Sequence, residues 1–457
     1  MVGGLSLAPA RALAAADLSV PNITGLYTVP VARIEAPVST AGVVQALASW
    51  PGQVAVGGAR CSMGGQVAIA GGLHLDMRAM NRLLWLRADE RRVRVQAGMR
   101  WRDLQDHIDP LGLAVHTMQS YANFTVGGSV SVNAHGRYVG HGPVGHSVRA
   151  LQLVLADGQV VEANRSFNTE LFRAAIGGYG AVGLITEVEL DLAENVRILR
   201  QVAKVALQDY VSHFDHQVLG PGDAVLHNAD LLPPHFDAPI STTWRRTQAP
   251  LTETARLVPR GLAYGPERQV LWAVTELPGG DALRQRVLQP LLTVRPVVQW
   301  LNHEASLDLA QLEPHSRRHS TYALQEYFVP RAHFLGFAQA LAKVLRQHRV
   351  AAVNVSIRHS PPDRDALLPW APQAVFTFVL FYKQGTSDAS QQAVGHWTRA
   401  LIDQVLAHGG RHYLPYQLHA TQAQFDAAYP EAAALRALRQ RVDPGGRWQN
   451  SLWQRYL

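Results

Sequence analysis

The polar and apolar positions of the first half of the chain change period repeatedly. Short apolar runs predict strands at 31–37, 53–56, 73–76, 83–87 and 184–191. Residues 92–97 alternate strictly, as a half-buried strand does. Between them lie helical stretches at 40–49, with Ser39 as N-cap, at 101–108, stopped by Asp109-Pro110, and at 167–175. Residues 148–162 read as a hairpin around Asp157-Gly158. From about residue 195, Pro, His and Trp become frequent and longer helices are predicted at 281–291, 331–347 and 387–407. Strands at 322–329, 351–357 and 375–382 alternate with them, so this is a second α+β unit. After Gly409-Gly410 come an extended segment, helices at 421–429 and 430–441, and a polar end. No repeat and no low-complexity stretch interrupts the pattern.

Three runs of small residues punctuate these elements. Residues 54–65 read Val-Ala-Val-Gly-Gly-Ala-Arg-Cys-Ser-Met-Gly-Gly, with Gly57, Gly58, Ala59, Gly64 and Gly65 small enough to admit a ligand against backbone. Successive N–H groups in such a turn can form a concavity for an anion, and glycine allows the positive φ values it needs. One such run equally describes a surface loop. A second at 125–136 and a third at 177–183 point to backbone wrapped around one large, phosphate-bearing ligand.

Composition narrows the class. The 457 residues suffice for two domains or one with an inserted lobe, and 47% hydrophobic with 17% charged content indicates a packed core. A single cysteine, Cys61, excludes an intramolecular disulfide and the usual Cys-based zinc sites. The formal net charge is +7, yet lysine occurs only at Lys204, Lys343 and Lys383. The arginines are scattered, so no nucleic-acid partner is expected. The charge either draws an anionic substrate or reflects Arg coded in place of Lys. No apolar window is long enough for a membrane span. Residues 3–17 look like the late part of an export signal without its basic start. Under that reading the protein is periplasmic or exported. If the stretch is only an Ala-rich arm, it is cytoplasmic. The twenty histidines show no metal spacing, and His303-Glu304 lacks the second histidine of a metalloprotease helix. No metal is expected.

Taken in order, residues 57–65, 125–136, 147–158, 172–189 and 409–450 resemble the FAD-binding flavoproteins of the PCMH, or vanillyl-alcohol oxidase, type. Within that superfamily the similarity is to aldonolactone and alditol oxidases and the decaprenylphosphoryl-ribose oxidase subunit. It covers about 30–195 and 320–457. The resemblance implies an α+β, two-lobed PCMH-type fold with the FAD domain split around an inserted α+β substrate domain. The expected boundaries are an arm at 1–24, FAD domain at 25–194, substrate domain at 195–408, and a completing segment at 409–457. It also implies FAD-binding roles. Gly57, Gly58, Ala59, Arg60, Cys61, Ser62, Met63 and Gly64 match the pyrophosphate loop. Thr125, Gly127, Gly128, Asn133 and Gly136 match the isoalloxazine and ribityl segment. Gly178, Gly180, Gly183 and Ile185 match the adenine-side and ribityl contacts.

Departures from the family pattern shape the chemistry expected. Many members carry, at the place of Cys61, a histidine bonded to the flavin. Histidyl linkage is excluded here, and non-covalent FAD is the reading, with a cysteinyl bond as the alternative. The alditol-oxidase Glu-Ile-Arg strand becomes Ser356-Ile357-Arg358, keeping the arginine and losing the acid. The C-terminal His-Trp-Gly-Lys becomes Tyr413-Leu414-Pro415-Tyr416. Arg358 is expected to orient substrate. Tyr413 and Tyr416 either hold the substrate hydroxyl, act as base with a pKa depressed by Arg358, or simply pack the lobe interface. His135 either contacts flavin or substrate or packs beside them. Gln325 and Tyr327 share one strand face and Glu326 takes the other, and alternation does not say which faces the pocket. The implied enzyme oxidises a C–OH of a sugar, alditol, lactone or related small polar alcohol by hydride transfer to flavin N5, with O₂ or another acceptor. The alternatives are oxidation of a C–N or C–C bond in a specialised metabolite, or a flavin-binding protein without turnover.

Overall fold

The structure, a computed structural model, describes residues 18–262, 296–312, 314 and 316–457. The helix expected at 281–291 and residues 1–17 of the arm lie outside them. Near the N-terminus, Arg33–Glu35, Leu73–Asp76 and Val54–Gly57 form a parallel three-stranded sheet, with Leu73–Asp76 in the middle. The helix Thr40–Ala48 connects its first two strands in sequence, and Ser39 Oγ caps it by accepting from Gly42 N–H at 3.2 Å. A six-stranded antiparallel sheet follows, in the order Val160–Asn164, Val148–Val154, Leu184–Glu194, Arg92–Gln96, Leu83–Arg87, with Leu113–Val115 beside the far end of Leu184–Glu194.

The second half builds an eight-stranded antiparallel sheet. Its order is Val298–Trp300, Arg197–Lys204, Ile240–Arg246, Ala224–Leu231, Ala351–Ser360, Val375–Gly385, Ser320–Pro330, Arg411–His412. The helices Phe334–Gln347 and Asp388–Ala407 pack on one face, where Phe337 meets Tyr327 and Phe378 with ring centroids 5.9 and 5.0 Å apart. Burial of these aromatics ties helix to sheet. The other face is left for the site.

The chain end returns to the first sheet. Val54 N–H donates to Arg447 O at 2.7 Å and Gln449 N–H to Val54 O at 3.0 Å, with Trp448 bridging to Val54 in parallel. The Arg447 guanidinium donates to three carbonyls, those of Ala156 (2.5 Å), Leu47 (2.8 Å) and Trp50 (2.6 Å). The polar end closes as a helix, Ser451–Tyr456, capped by Asn450.

Most expected elements form within a residue or two of their predicted bounds. Three differences stand out. Residues 331–333 make a 3₁₀ turn before the helix begins at Phe334. The small-residue run after Thr125 is helical over Val126–Ser131. The strands Arg197–Lys204, Ala224–Leu231 and Ile240–Arg246, which the sequence does not resolve individually, supply three of the large sheet's eight strands. Among the described residues no helix is long and apolar enough to cross a membrane.

Candidate active site

Between the N-terminal sheets and the free face of the eight-stranded sheet lies a cavity of about 1040 Å³. Its upper wall is made of the turn after Val54–Gly57, Thr125 with the short helix that follows it, the loop around Tyr179, and the returning residues Trp448, Gln449 and Asn450. Small residues let these loops touch. A Cβ at Gly58 would lie 2.1 Å from Thr125 Oγ1, and one at Gly127 would lie 2.5 Å from Ala97 Cβ. Arg60 and Tyr179, both on this wall, hold positive φ values of 57° and 50°. Such strain persists where surrounding contacts over-determine the backbone, and it concentrates at binding sites. Thr125 Oγ1 and Arg60 Nε are buried polar atoms without a protein partner. A backbone cradle with unpaired buried donors is a wall made for a polar, phosphate-bearing ligand.

Of the expected cofactor residues, Gly58, Ala59, Arg60, Cys61, Ser62, Met63, Thr125, Gly127, Gly128, Gly180, Gly183 and Ile185 line the cavity. Five do not, and each has a packing reason. A side chain on Gly57 would strike the His74 ring at 2.6 Å, and one on Gly64 the Tyr416 carbonyl at 2.3 Å. A Cβ at Gly136 would lie 2.1 Å from the Met118 carbonyl oxygen, and one at Gly178 1.8 Å from that of Ala174. Asn133, at φ 48°, uses its side chain to join Asp363 Oδ2 at 2.8 Å and Gly145 N–H at 3.1 Å. These five hold the wall from behind.

Beneath the loop, Asp76 binds Arg60 at 2.8 Å and Arg78 at 2.5 Å. Burial and the nearby Arg60 push His74 down to about 4, so it stays neutral.

The floor is the large sheet, and its register puts polar groups in rows. Val379 pairs with Ser356 on one side and Glu326 on the other, and Ser356 pairs with Asp230. Asp230, Ser356, Val379 and Glu326 therefore form one row across four strands, all facing the cavity. Two residues along, Arg358, Asn354 and Asn228 face it too. Ser356, which occupies the position of the acid in the alditol-oxidase pattern, thus shares a row with a carboxylate two strands away.

Glu326 is the hub. Its Oε1 lies 2.5 Å from His135 Nε2 and its Oε2 accepts from the Tyr416 hydroxyl at 3.0 Å. Burial alone would raise its pKa, but His135, Arg358 and Tyr416 together outweigh burial and hold it below the usual carboxylate range. Arg358 is half-buried, and its Nε is a buried atom without a partner. Desolvation lowers its pKa, Glu326 opposes that, and a guanidinium remains charged throughout.

Tyr413 and Tyr416 are held protonated. Burial first, then the Glu326 charge, drives both Tyr413 and Tyr416 well above the ordinary phenol value, and at Tyr416 the opposing pull of Arg358 is the smaller effect. This corrects the expectation that Arg358 would depress them. Both line the cavity as neutral hydroxyls, Tyr413 donating to Val132 O at 2.7 Å.

Gln325 and Tyr327 are corrected as well. They lie on the opposite strand face, buried, and line no part of the cavity. Tyr327 packs on Phe337 beneath the helix layer. Sequence reasoning therefore missed Glu326 as a site residue, along with Arg137, Asp230 and Asn354 on the same wall. Alternation separated Glu326 from its neighbours but gave no direction, and the others come from distant elements with no shared spacing.

An FAD binding domain family matches residues 33–164, and the D-arabinono-1,4-lactone oxidase family matches residues 304–456. L-gulonolactone oxidase of Mus musculus is 24% identical over 391 residues, covering 84% of this chain and 85% of that protein. Alditol oxidase of Streptomyces sp. is 26% identical over 366 residues, covering 79% of this chain and 80% of that protein. The mitochondrial L-galactono-1,4-lactone dehydrogenase of Brassica oleracea is 30% identical over a shorter 135 residues, 30% of this chain and 22% of that protein. The chain belongs to the PCMH-type, or vanillyl-alcohol oxidase, flavoproteins. It is an FAD-dependent oxidoreductase acting on a small polar substrate.

Proposed function

We propose that the protein oxidises a secondary or primary C–OH of a polyol or lactone, at the end of the cavity where His135, Glu326, Arg358 and Tyr416 converge. The relatives named for alditols and lactones favour this class. Residues 25–194 with 409–457 would form the FAD unit and 195–408 the substrate unit. The bonds of Arg447 and Gln449 to Val54 in the first sheet, and of Asn450 to the Tyr179 carbonyl, support that split. The lining residues from Gly58 to Met63, with Thr125, Gly127, Gly128, Gly180, Gly183 and Ile185, would hold FAD. Cys61, a half-buried thiol on this wall, would leave it unbonded.

FAD, when bound, supplies the hydride acceptor. The chain supplies position and charge. Tyr416, protonated at all ordinary pH, would hold the substrate hydroxyl beside Glu326. Glu326 Oε2 would take the hydroxyl proton. A carboxylate held ionised is basic enough for this, because the hydroxyl becomes strongly acidic as its carbon is oxidised. His135 Nε2, on the other carboxylate oxygen, steadies the charge before the proton arrives and fixes the carboxylate's orientation. Arg358 would offset charge building on the substrate oxygen. Tyr413, committed to Val132, frames the site.

The observation that carries this reading is the buried His135–Glu326 contact on the cavity wall. Anaerobic stopped-flow reduction of the bound flavin by xylitol tests it in wild type, Glu326→Gln and His135→Gln. The rate should fall at least about a hundredfold in Glu326→Gln with the FAD content unchanged. A variant that is reduced as fast as wild type overturns the assignment.

A further inference from the structure

The wall at the other end of the Glu326 row carries a second polar assembly that the proton-transfer reading does not use. Arg137 Nη2 pairs with Glu304 Oε1 at 2.8 Å, and its Nη1 donates to Asn228 Oδ1 at 3.4 Å. Asn228 Nδ2 donates to Asp230 Oδ2 at 3.3 Å, and Asn354 Nδ2 to Asp230 Oδ1 at 3.0 Å. The assembly joins two strands of the floor to the loop after His135, and Arg137, Asn228, Asp230 and Asn354 all face the cavity.

Its composition defines what it can bind. A carboxylate accepts hydrogen bonds, primary amides both donate and accept, and a guanidinium donates. That set complements neighbouring hydroxyl groups, each of which donates once and accepts. Its charge defines what it rejects. Along the floor and its wall two guanidiniums, Arg137 and Arg358, stand against three carboxylates, Glu304, Asp230 and Glu326, so the local balance is negative and disfavours an anion beside Asp230.

Its position sets a length. Asp230 lies three strand steps from Glu326 in the same row, roughly 14 Å at about 4.8 Å per step. With a hydrogen bond of about 2.8 Å at each end, an extended chain of about five or six carbons spans the row.

Resting on the proposed alcohol oxidation, we infer that Asp230, Asn354 and Asn228 form a distal hydroxyl subsite for the far end of an uncharged polyol. The subsite favours chains that reach from Glu326 to Asp230 and disfavours those ending in a carboxylate. Ser356, between the two ends, leaves room for the middle of the chain.

The test uses the FAD-loaded enzyme and anaerobic flavin reduction by sorbitol, xylitol, glycerol and gluconate. Wild type should bind sorbitol at least about tenfold more tightly than glycerol or gluconate. Asp230→Asn and Asn354→Ala should weaken sorbitol binding by about tenfold or more and collapse its preference over glycerol, with a smaller effect on the limiting reduction rate. Asp230→Asn should also narrow the gap between sorbitol and gluconate. FAD content and melting temperature establish that each variant is folded. Equal affinity for sorbitol and glycerol in wild type, or an Asp230→Asn protein with unchanged sorbitol affinity, overturns the subsite alone. Failure of every polyol to reduce the flavin overturns the alcohol-oxidation reading, and the subsite falls with it.

Discussion

His135 Nε2 and Glu326 Oε1 meet at 2.5 Å although 191 residues separate them, one from a loop of the N-terminal half and the other from the large sheet. Their contact crosses the junction of the two halves, so geometry at the reacting end depends on how those halves dock. The Tyr416 hydroxyl, from the C-terminal segment, reaches the same carboxylate.

Arg358 is the cation facing that carboxylate. Replacing it with Met should lower turnover by at least about a hundredfold, if it stabilises charge on the substrate oxygen as a preorganised donor does. The Glu326 carboxyl should lose part of what depresses its pKa, so the acid limb of the pH–rate profile should move to higher pH. Steady-state rates across pH check both effects.

The loop wall predicts a cofactor-retention defect. In Gly58→Ala the new methyl would lie 2.1 Å from Thr125 Oγ1, on backbone that other contacts hold in place. The variant should lose about 1–3 kcal/mol of stability and retain less FAD per chain. Thermal melts and the flavin-to-protein absorbance ratio report these separately.

The Arg447 guanidinium bonds three carbonyls of the N-terminal half. Arg447→Met should orphan them and cost about 3 kcal/mol or more. Arg441→Met, which removes only an exposed pair with Glu170, should change the melting temperature little. Comparable melts for the two variants would contradict the role given to the chain end.

That tie also shows what the sequence could and could not disclose. Local features were legible: Ser39 caps the helix it precedes, and the Asp157-Gly158 turn joins two paired strands. The glycine runs marked the cavity's loops, because close backbone approach leaves a compositional trace. The direction of Glu326 left none. Ser320–Pro330 is buried on both faces for most of its length, so polarity does not alternate along it and cannot say which side is the site. The row that sets Glu326 opposite Ser356 through Val379 is a matter of register between strands distant in sequence.

Buried histidines predict the acid response. His74, His116, His359, His412 and His419 are pushed down to about 4 and His227 to about 3, chiefly by burial. Between the ordinary value of 6.5 and those depressed values, the unfolded chain binds protons that the native state refuses, so stability falls as pH drops through that window. Glu326, depressed below 4.5, adds stability that is present above that value and is lost only as pH falls further, through its lower folded pKa. Melting temperature should therefore decline from about pH 6.5 downward. A flat profile from pH 7 to 4 would contradict the neutral burial of these rings.

The central claim is FAD held in this cavity and reduced by a polyol beside Glu326. The most direct measurement is the visible spectrum of the purified protein, recorded anaerobically before and after xylitol or sorbitol and then after acid precipitation. The account predicts oxidised-flavin bands that bleach on adding polyol, with all colour released to the supernatant by acid. Colour retained in the pellet would contradict non-covalent binding and implicate Cys61. A flavin that no polyol bleaches would contradict the proposed reaction, and a colourless protein that FAD cannot reconstitute would contradict the cofactor site itself.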